Sequence, residues 1–301
     1  MPTDWQRALV IAAHPDDIEY GLAAVVAAWT SEGKEVHYLL ATRGEAGMAG
    51  LKPEEAAPIR EEEERRSAAV VGVTEVEFLD GRDGVLEAGP ELRKAIAGGI
   101  RRHRPELVVT GYFGATWSPP GQSPGYLNSP DHRALGQCAL DAVADASNEW
   151  IFRDLPDPPW RGVQYVAVSS LLDPAHEVDV SDYVETAVKS LTEHRRYLEL
   201  LSDTPVEEQA RQIPEIQQMV EDPPEWLEFW STQVGADLKD GLREAPGYIA
   251  FARENGTVYH TYTVSAPDPF VAPYHAFLLE RTPLTREDDP RAWRKDEYPG
   301  A

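Results

Sequence analysis

Short apolar runs rich in β-branched residues alternate with segments of helical periodicity along the first 170 residues. This alternation is typical of parallel strands joined by crossover helices. It predicts strands at residues 8–13, 36–42, 76–79, 107–110 and 163–169. It predicts helices between them at residues 21–32, 60–71, 91–103 and 131–146. We therefore expect a Rossmann-like α/β fold, a mostly parallel sheet with helices on both faces.

The pattern changes in the last third of the chain. A long helix is predicted at residues 183–201 with Ser181 as its N-cap, and residues 204–224 are rich in Pro and Glu and predict a helix followed by a linker. Further on, Asn255-Gly256 separates two alternating segments at 247–253 and 257–264, which favours a β-hairpin. We predict a main domain of residues 1–222 and a small α+β C-terminal extension of residues 223–301.

Composition narrows the classes of function. The chain has 28 Lys and Arg against 52 Asp and Glu, a formal net charge of -24, which would repel phosphate backbones, so we expect no nucleic-acid partner. The single cysteine, Cys138, excludes an internal disulfide and is a poor start for a thiolate metal cluster, so a metal site would have to use His, Asp and Glu. No apolar run is long enough to cross a bilayer and no secretory signal begins the chain, so we expect a cytoplasmic protein without a membrane span.

Residues able to bind a metal follow the first predicted strand directly. His14 and Asp17 stand three apart in a strand-to-helix turn, and Asp16 lies between them. The carboxyl ends of parallel strands are where such sheets bind ligands, and imidazole and carboxylate groups are good zinc ligands. The alternative is that Asp17 caps the helix while His14 packs on the turn.

A second polar segment precedes the helix after the fourth strand. It runs Asn128-Ser129-Pro130-Asp131-His132, and its histidine is expected at the same edge of the sheet as His14. Taken alone, His132 could equally be a surface histidine beside a first-turn acid.

Together these segments resemble the PIG-L, or LmbE-like, zinc-dependent N-acetylglucosaminyl deacetylases. The family motif Ala-His-Pro-Asp-Asp stands whole at residues 13–17, and His-Pro-Asp-His followed by Gly is similar to residues 129–132 with Gly136. Weaker similarities cover Arg60 with Glu63, residues 78–84, and residues 189–194. The resemblance extends over about the first 200 residues.

The resemblance implies a role for each matching residue. Metal ligands would be His14, Asp17 and His132, holding one Zn²⁺ or another divalent ion per chain, and Asp16 would be the general base. Substrate contacts would be Arg60, Asp83 and His194, although Arg60 could instead pair with Glu63 or Glu64 on a solvated helix face.

One position departs from the family pattern. Ser129 replaces the first histidine of the second motif, which is thought to stabilise the oxyanion, and a hydroxyl cannot supply a cationic donor. Loss of one oxyanion donor costs about 10² to 10³ in rate. Tyr126 is the nearest candidate to compensate; otherwise the substrate differs or the hydrolytic activity is lost.

The sequence thus predicts a zinc-dependent hydrolase that removes an N-acetyl group from an amino sugar or its conjugate. Two alternatives stay open: an amidase acting on a larger conjugate, and a metal-binding protein that no longer hydrolyses. The extension weakly resembles a thioredoxin-like family around residues 259–262 but has no Cys-x-x-Cys, so no redox role is expected. We expect it to pack on the main domain, at the pocket mouth or in a homo-oligomer interface.

Overall fold

A computed structural model describes residues 1–116, 127–169, 176–213 and 259–265. In the first half of the chain, strands and helices alternate strictly: β1 Arg7–Ala12, α1 Ala23–Ser31, β2 Glu35–Leu40, α2 Pro53–Val70, β3 Val76–Phe78, α3 Pro90–His103, β4 Leu107–Thr110 and α4 Pro130–Ser147. The remaining elements are β5 Tyr165–Ser169, β6 His176–Asp179, a 3₁₀ helix Ser181–Tyr183, α5 Val184–Thr192, α6 Arg195–Leu201, α7 Val206–Gln209 and β7 Tyr259–Ser265.

The strands form one sheet in the order β3-β2-β1-β4-β5-β7-β6. The first five strands are parallel, whereas β7 runs antiparallel to both β5 and β6. The predicted parallel α/β fold and its five strands are therefore confirmed. Strand order reverses between β1 and β4, and in such sheets ligands bind beyond the carboxyl ends of the strands at this point.

Both faces of the sheet are buried. Leu9 and Ile11 of β1 pack with residues of α3 and α4, while Val10 between them packs on the opposite face with α1 and α5. Successive side chains of a strand point to opposite faces, so β1 is apolar throughout because it is covered on both sides. This burial fixes the position of the carboxyl end of β1, and His14 lies just beyond that end.

Helix α2 begins earlier than the sequence predicted. It starts at Pro53, where proline is tolerated because the first helical N–H has no partner, and the backbone N–H of Lys52 donates to Glu55 Oε2 at 3.2 Å. The prediction placed its start at residue 60, beyond Pro58. The helix tolerates Pro58 near its beginning.

The single long helix predicted after the sheet is wrong. The helical conformation is interrupted at His194, between α5 and α6. The backbone N–H of Arg196 donates to Glu63 Oε1 at 2.6 Å. A side-chain acceptor on α2 thus satisfies one of the free donors at the start of α6. Ser181 is not the N-cap of this helix, because it lies in the preceding 3₁₀ helix and Tyr183 stands at the N-cap of α5.

The predicted C-terminal extension supplies one strand of the main sheet. Strand β7 lies between β5 and β6, with Tyr262 paired to Ser169 on one side and to His176 on the other. The first strand of the predicted hairpin, residues 247–253, lies outside the described residues. Within the part of the chain that is described, no helix is long and apolar enough to cross a membrane.

Candidate metal centre and its surroundings

Three predicted metal ligands converge at the carboxyl edge of the sheet. His14 and Asp17 lie in the turn after β1, and His132 lies in the first turn of α4. One ligand atom from each lies within 4.8 Å of the others, and the two imidazole centroids are 5.3 Å apart. The structure thus brings together residues separated by more than 110 positions in the sequence.

Buried Asp131 fixes the orientation of the His14 ring. His14 Nε2 lies 3.1 Å from Asp131 Oδ2 and 3.2 Å from Asp83 Oδ1. Asp131 is itself held by the backbone N–H groups of Gly84, at 2.7 Å, and Leu86, at 3.0 Å. Because Nε2 faces carboxylates it carries the proton, and Nδ1 is the nitrogen that faces the metal centre.

Asn128 fixes the orientation of the His132 ring in the same way. Its Nδ2 donates to the carbonyl oxygens of Tyr112 and Gly114, both at 3.1 Å, so its Oδ1 is the atom that faces His132 Nδ1 at 3.0 Å. His132 Nδ1 therefore carries the proton in the neutral ring, and Nε2 points at Asp17 Oδ1, 3.0 Å away. Each imidazole thus turns its other ring nitrogen toward Asp17.

The centre is strongly negative. Burial alone would lower the pKa of His14, but hydrogen bonds with Asp131, Asp17 and Asp83 raise it to about 12. Burial would raise the pKa of the Asp17 carboxyl, yet the hydrogen bonds from His132 and His14 hold it far below its usual value. A proton on His14 balances this charge, and a divalent ion would replace that proton. Two imidazole nitrogens and one carboxylate fit a catalytic zinc with one open position.

Asp16, the predicted general base, is buried beside the centre in a strained conformation. Its φ is 96°, which a residue other than glycine rarely adopts, and such strain persists only where surroundings enforce it. Arg60 Nη2 lies 2.9 Å from Asp16 Oδ1 and also donates to the Pro15 carbonyl, and Asp16 N–H donates to Glu64 Oε2 at 3.3 Å. Burial raises the pKa of Asp16 although the Arg60 charge opposes it, and the Asp17 charge raises it further.

Arg60 is enclosed rather than exposed. It is 2% exposed, its guanidinium lies 3.6 Å from the centroid of the Tyr197 ring, and Gly44 passes close to it. A Cβ at Gly44 would lie 2.9 Å from Arg60 Nε. The alternative of a solvated pair on a helix face is wrong, because the partner of Arg60 is the buried Asp16.

His194 does not lie where solvent reaches. Its side chain is completely buried, with Nε2 at 3.5 Å from Glu19 Oε2 and 3.6 Å from Glu64 Oε2. Glu64 in turn accepts from the Asp16 backbone. This position does not fit a direct substrate contact, and it places His194 in a buried group that supports the turn carrying Asp16. Asp83, by contrast, borders the centre and contacts His14.

Comparison with known proteins places this chain in a family. The family described as PIG-L, GlcNAc-PI de-N-acetylase, matches residues 9–143. The diacetylchitobiose deacetylase of Thermococcus kodakarensis is 34% identical over 197 residues, which are 64% of this chain and 70% of that protein. The chain belongs to the PIG-L family. The predicted family resemblance is confirmed.

Further relatives in the PIG-L family share the deacetylase description. The probable N-acetyl-alpha-D-glucosaminyl L-malate deacetylase 2 of Bacillus anthracis is 28% identical over 75% of this chain and 94% of its own length. The solved structure of N,N'-diacetylchitobiose deacetylase from Pyrococcus horikoshii covers 87% of this chain and 85% of its own, with a TM-score of 0.61 and 23% identity. At that identity the solved structure supports the shared fold alone.

The residue that departs from the family pattern begins helix α4. Ser129 is the N-cap, and its Oγ accepts a hydrogen bond from the Asp131 N–H at 3.2 Å. A serine hydroxyl that accepts one hydrogen bond still has its own proton to donate. Tyr126, the predicted compensating donor, lies outside the described residues.

Three supporting residues were absent from the predicted site. Asp131 and Asn128 stand inside the second motif, next to His132, and that adjacency was the available signal. Tyr197, which packs on Arg60, lies in no motif that would have marked it as a site residue. Its position depends on where α6 begins, directly after the helix break at His194.

Proposed function

We propose that this protein hydrolyses the N-acetyl amide of an amino sugar or amino-sugar conjugate with a metal ion held by His14, Asp17 and His132. The observation that carries the proposal is the pair of imidazoles whose outer nitrogens are occupied by Asp131 and Asn128. Their inner nitrogens both face Asp17. Family relatives that are deacetylases of N-acetylated sugars support the substrate class.

The proposed reaction would use a bound zinc ion together with Asp16. A bound zinc ion would supply a water of lowered pKa and polarise the acetyl carbonyl. Asp16 accepts a proton from the attacking water and donates it to the amine nitrogen as the carbon–nitrogen bond breaks, so that acetate and a free amine leave. A carboxylate whose pKa is raised by burial accepts a proton more readily than an ordinary Asp, which suits a general base.

Neighbouring residues position the base and the ligands. Arg60 holds the carboxylate of Asp16 in a buried ion pair, so we assign it to positioning the base rather than to the sugar. Asp83 bridges His14 and the N–H of Ala46, at 2.7 Å, and it stays a candidate for a sugar hydroxyl contact. Ser129 would donate its hydroxyl proton to the developing oxyanion, a role that Tyr126 could share.

The test is release of primary amine from N,N'-diacetylchitobiose and N-acetylglucosamine by the full chain. We expect activity that a chelator abolishes and that added zinc restores, while wild-type protein treated with buffer alone keeps its rate. Release of amine that survives complete metal removal would contradict the metal-dependent reaction. Zinc-loaded protein that hydrolyses no acetylated amine would instead favour the metal-binding, non-hydrolytic alternative.

A further inference from the structure

Two buried histidines meet at the edge of the sheet opposite to the metal centre. His37 lies near the start of β2, and His103 is the last residue of α3. Their Nδ1 atoms are 2.7 Å apart, and their side chains are only 10% and 3% exposed. Glu75, directly before β3, brings its Oε2 to 3.3 Å from His37 Nδ1, with its side chain 59% exposed. The Nδ1 atoms of both histidines and Oε2 of Glu75 therefore lie close together. The histidines are buried, whereas the Glu75 side chain is open to solvent.

The outer nitrogens of both rings are held by other carboxylates. His37 Nε2 lies 2.8 Å from Glu35 Oε1, and His103 Nε2 lies 2.8 Å from Glu77 Oε2. An unprotonated Nε2 and a carboxylate oxygen are both acceptors and would repel each other at this distance. Each Nε2 therefore carries a proton and donates it to its glutamate. A neutral imidazole protonated at Nε2 has its lone pair on Nδ1. The two Nδ1 lone pairs consequently face each other, with a third acceptor from Glu75 beside them.

Either a proton or a metal ion between the two Nδ1 atoms would satisfy these converging acceptors. A carboxylate behind each imidazole is also the arrangement that orients histidine ligands and increases their basicity in metal sites. We propose that His37, His103 and Glu75 form a second divalent metal site, of the type that zinc prefers, at the amino edge of the sheet. One ligand atom from each of the three residues lies within 4.8 Å of the other two.

The surrounding charges suit such a site, and the two rings need only a small shift to accept the ion. Arg7 Nε pairs with Glu35 at 2.8 Å and Arg102 Nε with Glu77 at 3.0 Å, which keeps these two carboxylates in place behind the rings. Tetrahedral zinc with bonds of about 2.0–2.1 Å to nitrogen separates its ligands by roughly 3.3 Å. The two Nδ1 atoms must therefore move apart by about half an ångström. The bound ion would connect β2, the end of α3 and the approach to β3.

The experiment measures zinc stoichiometry by equilibrium dialysis and elemental analysis of the full chain in excess zinc. We expect two ions per wild-type chain and one per chain in His37→Gln and His103→Gln, with the rate of amine release unchanged in both. Glu75→Gln alters only an exposed side chain and should weaken the second site by about tenfold or more. Glu32→Gln, an exposed glutamate elsewhere, is the matched control and should bind two ions.

Clear outcomes overturn the proposal. A wild-type chain that never binds more than one ion would mean that the histidine pair is bridged by a proton alone. A second ion retained in a folded His37→Gln/His103→Gln double variant would place it elsewhere. Because Asp17→Asn should remove the first ion and leave the second, failure of this site is distinguishable from failure of the catalytic metal centre.

Discussion

The Oδ1 atom of Asp16 lies 2.9 Å from Nη2 of Arg60, and both side chains are buried. Removing one partner of a buried ion pair leaves an uncompensated charge, which is far more costly than loss of an exposed pair. The pair also holds Asp16 in a backbone conformation with φ of 96°. Arg60 thereby positions the proposed base without touching the metal ligands.

Two glycines provide a test of that positioning. Gly44 and Gly50 both have left-handed φ values, 59° and 80°, but only at Gly44 would a Cβ meet Arg60, 2.9 Å away. Alanine at either site costs about 1–2 kcal/mol of backbone strain. We expect Gly44→Ala to lower kcat for amine release at least tenfold because it displaces Arg60, while Gly50→Ala keeps kcat. Equal kcat in the two variants would show that the position of Arg60 is unimportant.

Asp131 provides a test of the way His14 is oriented. In Asp131→Asn the acceptor of the His14 Nε2 proton loses its charge, and we expect the zinc Kd to rise by about 10- to 100-fold. Asp141→Asn, on the same helix but half-exposed and paired with Arg93 at 3.9 Å, is the control and should leave the Kd unchanged. Competition with a zinc chelator measures both constants. Identical Kd values would remove Asp131 from the metal centre.

The convergence of the candidate metal ligands could be predicted from the sequence because it needs only topology. His14 follows β1 and His132 follows β4, and these two strands are parallel neighbours in the sheet. The carboxyl ends of parallel strands lie at the same edge. The contacts that set the tautomers could not be predicted in this way. Asp131 reaches His14 across 117 positions and also binds the loop after β3, and no periodic pattern encodes such a contact.

Ser129 has two roles that one pair of substitutions separates. Ser129→Ala removes both the cap of α4 and the hydroxyl donor, so we expect a loss of about 1 kcal/mol in stability and a fall of about 10² to 10³ in kcat. Ser129→Asn keeps a capping oxygen and offers an amide donor, and should recover most of the stability. A Ser129→Ala variant with lowered Tm and unchanged kcat would make Ser129 a helix cap only.

Ser129→His is the complementary substitution, since it introduces the donor that the family motif has at this position. If the pocket accommodates the ring, kcat on N-acetylglucosamine should rise above the wild-type value. A kcat at or below wild type in a folded Ser129→His variant would show that an imidazole here brings no gain.

Strand β7 should be essential for stability because it lies inside the sheet. Tyr262 is the position at which β7 pairs with β5 and β6 at once. Tyr262→Pro removes a backbone donor in the middle of the sheet, and proline is found there essentially never, so we expect a large fall in Tm. Tyr262→Ala keeps the N–H and is the control. If both variants unfold at the same temperature, the backbone hydrogen bonds of β7 contribute little to the stability of the fold.

The position of β7 illustrates what a sequence pattern leaves undetermined. Alternation around residues 257–264 indicates a strand, but it does not say which neighbours the strand pairs with. Here the strand enters between β5 and β6, which are themselves separated by only a short stretch of chain. The break between α5 and α6 is similar, because it falls at His194, which is buried next to Glu19 and Glu64, and the sequence has no local helix breaker there.

The most direct measurement compares Asp16→Asn with Asp17→Asn for zinc content and kcat on the same preparations. The account predicts that Asp17→Asn loses zinc, because the carboxylate that faces both imidazoles becomes an amide. It predicts that Asp16→Asn keeps wild-type zinc content while kcat falls by about 10² to 10⁴. Equal zinc loss in the two variants, or wild-type kcat in Asp16→Asn, would contradict the assignment of ligand and base.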